Sequence, residues 1–290
     1  MQASGDRTLT RVASRDGTEI GYFSSGSGPP LLLVHGALGD HSRWDGLRPL
    51  LEPHVTMHAM DRRGRGASSD AESYSGEREA EDVAAVVESI ARASGTKVAV
   101  WGSSGGASMA LAAAQLTNEI GRLVLFEPPG PAQGSLMARL ADELDALLAA
   151  GDREGVLVTA YRAGLELSDE QIEQLRSAPA WPNRLAAAHT VPRELRTSAD
   201  LLFEHARNTA APTLVIVGGA TAEAFRTTAD SVIAALPDAS LIEIDGQGHG
   251  AELYAAELVV GHVLEFLGRA SRAGGAAAAD DATPGDGAGP

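Results

Sequence analysis

The 290-residue chain contains no cysteine. This absence excludes thiol nucleophiles, cysteine-ligated zinc and disulfide frameworks, and it is compatible with a reducing compartment. Aromatic residues make up only 4% of the sequence. Nowhere do about eighteen apolar residues follow one another, as a membrane-spanning helix requires, and residues 1–17 lack the apolar core of a secretion signal. We therefore expect a cytoplasmic protein without a membrane partner.

Positive charge is scarce as well, because 23 lysines and arginines face 39 aspartates and glutamates, which gives a formal net charge of -16. Nucleic acids are polyanions that bind clusters of basic side chains, so this charge argues against nucleic acid as a partner. The sequence also lacks a P-loop, a G-x-G-x-x-G unit and an H-E-x-x-H motif. We expect a protein that needs no cofactor and no metal ion.

The sequence alternates short β-rich runs with longer helical ones, which is typical of an α/β chain with a mostly parallel sheet covered on both faces. Eight strands are predicted, at 8–14, 19–25, 30–35, 55–61, 97–102, 122–127, 213–218 and 240–245. The Asp16-Gly17 pair predicts a hairpin turn between the first two strands. Helices are predicted between the later strands, at 77–94, 105–116, 223–236 and 251–268.

Between residues 128 and 211 this alternation stops, and helical stretches separated by glycine and proline follow one another without a strand. We predict that 128–211 forms a helical cap, inserted after the sixth strand over one end of the sheet. The predicted core then comprises 1–127 and 212–268. The remaining residues, 269–290, lack periodicity and are rich in Gly, Ala, Asp and Pro, so they are predicted to be disordered.

The stretch Gly102-Ser103-Ser104-Gly105-Gly106 fits the pattern G-x-S-x-G, after a predicted strand and before a predicted helix. In a nucleophile elbow, this strand-to-helix turn is strained and exposes the serine Oγ, and the flanking glycines keep Cβ atoms out of a crowded bend. Ser104 is therefore predicted to be the reactive serine, while Ser103 fills the variable position. A serine hydroxyl needs a base, usually a histidine, to act as a nucleophile at neutral pH.

Six stretches occur in the order and spacing typical of the α/β-hydrolase family: "LLLVHGALG", "DRRGRGASS", "WGSSGGA", "LVLFEPP", "PTLVIVGG" and "GQGHG". Over residues 8–268 the sequence resembles that family, which implies the α/β-hydrolase fold and says little about substrate. The resemblance implies that His249 is the base and that His35 shapes the loop that binds the oxyanion. It also implies that the oxyanion is bound by backbone N–H groups of that loop and of the elbow, namely at Gly36, Ala37 and Gly105.

The acid that orients the histidine is missing from its usual place in this family, the loop after the seventh strand. That loop reads Gly218-Gly219-Ala220-Thr221-Ala222-Glu223 and contains no aspartate. In a doubly wound sheet the sixth strand lies beside the seventh, so Glu127 at the end of the sixth strand can reach the same histidine. We predict that Glu127 is the orienting acid, with Glu223, Asp245 and the absence of any acid as alternatives.

A narrower resemblance is to the zearalenone lactonases, serine hydrolases that open a resorcylic macrolactone ester. The shared features are paired serines next to a tryptophan, a glutamate after the sixth strand, a "GGAT" loop without an acid, and a cap tryptophan in "AWPNRLAAAHTVP". The resemblance implies that Trp181 packs against the aromatic part of the lactone. The sequence departs from that family at His35, which precedes Gly36, and at the pair Pro128-Pro129. A general esterase is therefore kept as an alternative.

These features predict a serine hydrolase that cleaves a carboxylic ester or lactone through an acyl-enzyme, with a zearalenone-type macrolactone as the sharpest substrate hypothesis. The alternatives are a general carboxylesterase, a C–C bond hydrolase of the same fold, and a ligand-binding protein without turnover. The expected partner is a hydrophobic small-molecule ester or lactone, and a homo-oligomer is left open. The side chains predicted to contact substrate, for which a place in the cap core is the alternative reading, are Trp181, Leu38, Met137, Val158, Tyr161 and Pro192.

Overall fold

The computed structural model describes residues 7–130, 134–165, 167–197 and 202–277. Its centre is a sheet of eight strands, which are β1 (Thr8–Ala13), β2 (Glu19–Gly26), β3 (Pro30–Val34), β4 (Thr56–Met60), β5 (Val98–Ser103), β6 (Ile120–Phe126), β7 (Thr213–Gly218) and β8 (Ala239–Ile244). The strand order is β1-β2-β4-β3-β5-β6-β7-β8. β2 is antiparallel to both neighbours, and every later pair is parallel. The predicted α/β-hydrolase fold is confirmed.

The helices of the described residues follow the chain in this order: α1 (Arg48–Leu51), α2 (Gly76–Ser94), α3 (Gly105–Ala113), α4 (Gly134–Ala149), α5 (Arg153–Thr159), α6 (Asp169–Arg176), α7 (Trp181–Ala187), α8 (Val191–Leu195), α9 (Leu202–Arg207), α10 (Glu223–Ala235), α11 (Ala251–Tyr254) and α12 (Ala256–Ala277). A 3₁₀ turn, His41–Leu47, leads into α1, and a π-helical turn, Ala160–Gly164, follows α5.

Burial explains why the central strands form. Every residue of β3 and of β7 is buried, as expected for parallel strands covered on both faces. The strand β8 lies at the edge of the sheet, and only Ile244 in it is buried. One face packs against α2, α3 and α10, and the other packs against α1 and α12. The hairpin between β1 and β2 turns at Gly17, whose φ of 86° lies in the left-handed region.

The helix α2 shows how local signals set its ends. The Ser75 side chain accepts a hydrogen bond from the Arg78 N–H at its start, and Gly95, with a φ of 71°, ends it in the left-handed conformation. Between these caps an apolar stripe faces the sheet and is buried, with Val83, Val86, Val87 and Ile90.

Helices α4 to α9 lie between β6 and β7 in the chain, and the described residues of that interval contain no strand. Helices α4 to α8 share an apolar cluster of their own, whereas Ala206 of α9 packs with the residues that cover the sheet. Polar contacts join them to the sheet domain, because the Asn183 side chain donates to Asp40 at 3.1 Å and Glu194 pairs with Arg62 at 2.7 Å. The division into a core and a cap at 128–211 stays a prediction.

The C-terminal helix differs from the expectation. Instead of one continuous helix over 251–268, the helix is interrupted at Ala255, whose φ of −129° and ψ of 40° are not helical, and the two parts are α11 and α12. The helix α12 then continues to Ala277, into the segment 269–290 that was predicted to be disordered. Alanine and arginine are frequent in this segment, and their high helix propensity offsets the low helix propensity of its glycines. Residues 278–290 lie outside the described residues.

Among the described residues, no helix combines the length and the apolar character that crossing a membrane demands.

Candidate active site

Ser104 occupies a strained turn directly after the central strand β5. Its φ of 52° and ψ of −124° are unusual for a residue with a side chain. The Ser104 N–H donates to the Phe126 carbonyl at 2.8 Å, and the Ser104 carbonyl accepts from the Ala107 N–H at 2.8 Å. These bonds tie the turn to β6 on one side and to the start of α3 on the other. Ser104 is thereby held at the carboxyl edge of the sheet.

Two of the three glycines around Ser104 are required by space. A Cβ on Gly102 would lie 2.5 Å from the Gly106 carbonyl oxygen, and a Cβ on Gly106 would lie 2.3 Å from that of Val34. A Cβ on Gly105 would meet only the Arg62 guanidinium, at 3.9 Å. The first and last glycines of the motif therefore allow the close approach of α3, β5 and β3.

The two adjacent serines have different surroundings. The Ser103 hydroxyl is buried and donates to the carboxylate Oε2 of Glu252 at 2.6 Å. Ser104 is only half-buried. The hydroxyl of Ser103 is thus engaged inside the protein, whereas Ser104 is not fully buried, and the reactivity of Ser104 stays a prediction.

Glu127 follows β6 and has a fully buried carboxylate. Its φ of 44° is a left-handed value that a non-glycine residue adopts only when its surroundings enforce it. The Glu127 N–H donates to the Ile216 carbonyl at 3.0 Å, which turns the side chain toward the end of β7. There Oε1 accepts from the Gly218 N–H at 2.7 Å, and Oε2 accepts from the Thr221 hydroxyl at 3.2 Å and from His249 Nδ1–H at 2.5 Å.

The structure therefore brings Glu127 to His249 and leaves the alternative acids, Glu223 and Asp245, exposed. The loop after β7 has no acid of its own but supplies two hydrogen-bond donors to Glu127. The roles of Gly218 and Thr221 as donors to Glu127 do not follow from any sequence motif. The available signal was a hydroxyl-bearing residue in a loop from which the expected carboxylate is absent.

His249 lies on the loop between β8 and α11 with its side chain 19% exposed. Its ring stacks on Phe225, with centroids 4.5 Å apart and planes 21° apart. Because Nδ1 donates to Glu127, the neutral ring carries its lone pair on Nε2. The stacking and the hydrogen bond together fix the orientation of the imidazole.

His35 is a different kind of histidine. It is fully buried, and burial, followed by the positive charges of Arg65 and Arg62, holds its pKa well below the usual range. Its Nδ1–H donates to the Gly36 carbonyl at 2.7 Å, and its Nε2 accepts from the Arg62 N–H at 3.2 Å. Both ring nitrogens are engaged, so His35 serves as a neutral brace for the loop that follows it.

The loop from Gly36 to Gly39 passes directly beside the serine. A Cβ on Gly36 would lie 3.0 Å from the Ser104 Cβ and 3.6 Å from its Oγ. The Ala37 N–H donates to no acceptor within the described residues. Gly105 is the first residue of α3, and the first N–H groups of a helix lack intrahelical partners. Two of the predicted oxyanion donors thus keep free N–H groups.

The predicted substrate-contacting residues lie in or beside the apolar cluster of α4 to α8. Tyr161 and Trp181 are stacked, with centroids 6.4 Å apart, and only 4% and 9% of their surfaces are exposed. Both are buried members of this cluster. The side chains that pack against this cluster from its border are Leu38, Met137 and Val158, while Pro192 is buried in α8. Contact of these six residues with substrate stays a prediction.

A buried charge network lies behind the elbow. Arg62 pairs with Glu79 at 2.5 Å and with Glu194 of α8 at 2.7 Å, and Arg65 also pairs with Glu194. Despite burial, the charge of Arg62 keeps the pKa of Glu79 below its ordinary value. The network joins α8 to α2 and to the turn after β4 through charges that compensate one another. Within the described residues, no group of three or more histidine or acidic side chains is arranged to hold a metal ion.

The amino-acid sequence matches the model of the Alpha/beta hydrolase family over residues 31–261. The structure is similar to that of an alpha/beta hydrolase from Sphaerobacter thermophilus DSM 20745, with 35% identity, coverage of 89% of this chain and 100% of that chain, and a TM-score of 0.72. The chain belongs to the alpha/beta hydrolase family.

Two further similarities are more limited. A thermophilic esterase from Thermogutta terrifontis, with malate bound, shares the fold at 22% identity, with coverage of 90% of this chain and 98% of that chain and a TM-score of 0.71. A probable oxidoreductase, EphD, from Mycobacterium tuberculosis is 42% identical over 60 residues, which are 20% of this chain. The chain spans about a tenth of the length of the curated relatives it matches.

Proposed function

We propose that the protein is a serine hydrolase that cleaves carboxylic esters, including lactones, with Ser104 as nucleophile, His249 as base and Glu127 as orienting acid. The observation that carries this proposal is the hydrogen bond of 2.5 Å between the fully buried Glu127 carboxylate and His249 Nδ1. It forms at the same edge of the sheet at which the strained elbow presents Ser104. Membership in the hydrolase family and the shared fold with an esterase support the same reaction class.

The first step follows from the tautomer of His249. Glu127 accepts the Nδ1 proton, so Nε2 is the basic nitrogen and takes the Ser104 proton as Oγ attacks the carbonyl carbon. The imidazolium that forms is stabilised by the Glu127 carboxylate. Gly218 and Thr221 hold that carboxylate in place through its other lone pairs.

The negative charge of the tetrahedral intermediate develops on the former carbonyl oxygen. We assign the Ala37 and Gly105 N–H groups as its donors, because both are free and belong to segments that flank Ser104. The absence of a side chain on Gly36 allows the loop to approach the serine this closely. A donor of this kind contributes about 10²–10³ in kcat.

Collapse of the intermediate releases the alcohol, and His249 protonates the leaving alkoxide. A water molecule, deprotonated by the same nitrogen, then attacks the acyl-enzyme and regenerates Ser104. With a lactone, the alcohol and the acid stay in one molecule, and the product is an open-chain hydroxy acid.

A narrower proposal names the substrate as a macrolactone of the zearalenone type. It is supported by the resemblance in the elbow, the glutamate and the cap, and by the apolar cluster that Leu38 extends from the oxyanion loop to the stacked Tyr161 and Trp181. A general carboxylesterase is the alternative, because apolar contacts of this kind suit many esters.

Labelling with a fluorophosphonate probe tests the reaction class. The wild type should be modified at Ser104, Ser104→Ala should not react, and Ser108→Ala, which removes another serine hydroxyl of the same region, should react like the wild type. Peptide mass spectrometry locates the label. An unlabelled wild type that hydrolyses neither p-nitrophenyl acetate nor zearalenone would overturn the proposal in favour of a binding protein.

Substrate range is tested separately by mass spectrometry of the products. Opening of zearalenone to its hydroxy acid supports the narrower proposal. Turnover of p-nitrophenyl esters with zearalenone left intact overturns the macrolactone assignment and retains the esterase.

A further inference from the structure

Glu252 is a buried carboxylate that has no part in the proposed reaction. It lies in the first turn of α11, three residues after His249, and only 1% of its surface is exposed. Its Oε2 accepts from the Ser103 hydroxyl at 2.6 Å and from the Arg43 guanidinium at 3.0 Å. Its Oε1 has no partner in the part of the chain that the structure describes.

The partners of Glu252 belong to the other two segments of the site. Ser103 immediately precedes Ser104, and Arg43 lies in the 3₁₀ turn, His41–Leu47, that follows the oxyanion loop. That turn is joined to the loop through Asp40, whose carboxylate accepts from the Ser42 N–H at 2.9 Å. One oxygen atom therefore connects the segments that carry the nucleophile, the base and an oxyanion donor.

The hydrogen bond between Glu252 and Ser103 lies in the protein interior. A buried carboxylate is stable only when it is paired and hydrogen-bonded, and here Arg43 supplies the charge and Ser103 the hydrogen bond. The neighbouring Ala251 is fully buried in the same apolar cluster as Trp101 of β5. Apolar packing thus flanks the Glu252 end of the ion pair, while Arg43 is partly exposed. The hydrogen bond between Ser103 and Glu252 joins the end of β5 to the start of α11.

We propose that Glu252, together with Ser103 and Arg43, is a positioning residue that sets His249 at the correct distance from Ser104. The inference rests on the proposed function of Ser104 and His249. Proton transfer between those two residues depends on their separation, and a displacement of about 1 Å costs about 10²-fold in rate. Glu252 acts through the loop that carries His249, while Glu127 contacts the imidazole itself.

The inference predicts a loss in kcat with little change in KM. Glu252→Gln keeps the size and one acceptor but weakens both contacts, and kcat should fall about tenfold, whereas Glu252→Ala removes the connection and should cost about a hundredfold. Ser103→Ala should resemble Glu252→Gln. Ser103→Thr keeps a hydroxyl at the same position and should recover most of the wild-type kcat.

The experiment measures p-nitrophenyl acetate hydrolysis in each variant, with kcat expressed per site that reacts with the fluorophosphonate, so that misfolded protein does not count. Glu257→Gln is the matched control, because Glu257 is an exposed glutamate at the start of α12. It should behave like the wild type. The double variant Ser103→Ala/Glu252→Gln should be no slower than the slower single variant, since both changes act on the same hydrogen bond.

The outcomes separate this inference from the proposed function. If the wild type reacts at Ser104 while Glu252→Gln, Glu252→Ala and Ser103→Ala all keep the wild-type kcat per labelled site, the positioning role is overturned and the triad stands, even where the melting temperature falls. An equal loss in Ser103→Thr and Ser103→Ala also overturns it. A wild type that is inert at Ser104 overturns both proposals.

Discussion

Glu127→Gln replaces one carboxylate oxygen by an amide NH₂ group and preserves the shape of the side chain. All three neighbours of the carboxylate are donors, namely the Gly218 N–H at 2.7 Å, the Thr221 hydroxyl at 3.2 Å and His249 Nδ1–H at 2.5 Å. The backbone fixes the Gly218 donor, so it retains the amide oxygen. The NH₂ group must then face His249, where it donates to Nδ1 and moves the ring proton to Nε2.

That tautomer has no basic nitrogen toward Ser104, and in a serine triad this change costs about 10⁴ in kcat. The fold loses little, because the Thr221 hydroxyl can rotate and accept from the new amide. Glu127→Ala instead leaves the buried Gly218 N–H without a partner, which costs about 1–3 kcal/mol in the free energy of unfolding. The two variants should therefore lose activity alike and differ in stability.

The assay is p-nitrophenyl acetate hydrolysis over a pH series, combined with urea denaturation of each variant. Glu223→Gln, a change at an exposed glutamate in the first turn of α10, is the control and should keep wild-type activity. The reasoning is refuted if Glu127→Gln retains activity within about tenfold of the wild type, or if Glu223→Gln carries the large loss instead.

Three further changes test other parts of the structure. Gly106→Ala should destabilise the protein by about 3 kcal/mol in urea denaturation, since its Cβ would lie 2.3 Å from a carbonyl oxygen. The control Gly105→Ala should be tolerated. Equal stabilities of the two variants would contradict the elbow geometry. Burial lowers the pKa of the His58 side chain from 6.5 to about 4. Between these two pH values the unfolded chain binds more protons than the folded protein, so the free energy of unfolding falls as the pH drops from about 6.5 to about 4. His58→Gln should lose less stability between about pH 7.5 and about pH 5 than the wild type, and an identical loss would contradict this. Glu194→Gln leaves two buried arginines without their shared carboxylate and should lower the free energy of unfolding, measured by calorimetry, by about 3–5 kcal/mol. The control Asp142→Asn breaks a surface ion pair and should change stability little. A loss of stability in Asp142→Asn as large as that in Glu194→Gln would contradict the importance of the buried network.

The fold was predictable from the sequence because its central strands, such as β3 and β7, are apolar runs that end at recognisable turns. The run "PLLLV" of β3 is buried at every position. Hydrophobic pattern alone could not place the end of the chain, where alanine-rich sequence continues α12 to Ala277. Low apolar content there suggested disorder, while helix propensity favoured the helix.

The site was predictable where a motif or the neighbourhood of strands carried the information. The elbow follows from G-x-S-x-G, and the contact of Glu127 with His249 follows from the adjacency of β6 and β7. Other contacts have no local pattern. Ser103 and Glu252 are 149 residues apart in the chain, and the pair formed by Arg65 and Glu194 is 129 residues apart. Such pairings depend on the folded packing of side chains and could not be found from spacing.

The location of the acid on β6 has a practical consequence for protein engineering. At the end of β7, the Gly218 main chain and the Thr221 hydroxyl donate to Glu127. The neighbouring residues Ala220 and Ala222 are exposed. A library that varies Ala220 and Ala222 can therefore add new recognition groups at the rim without altering the residues proposed for proton transfer.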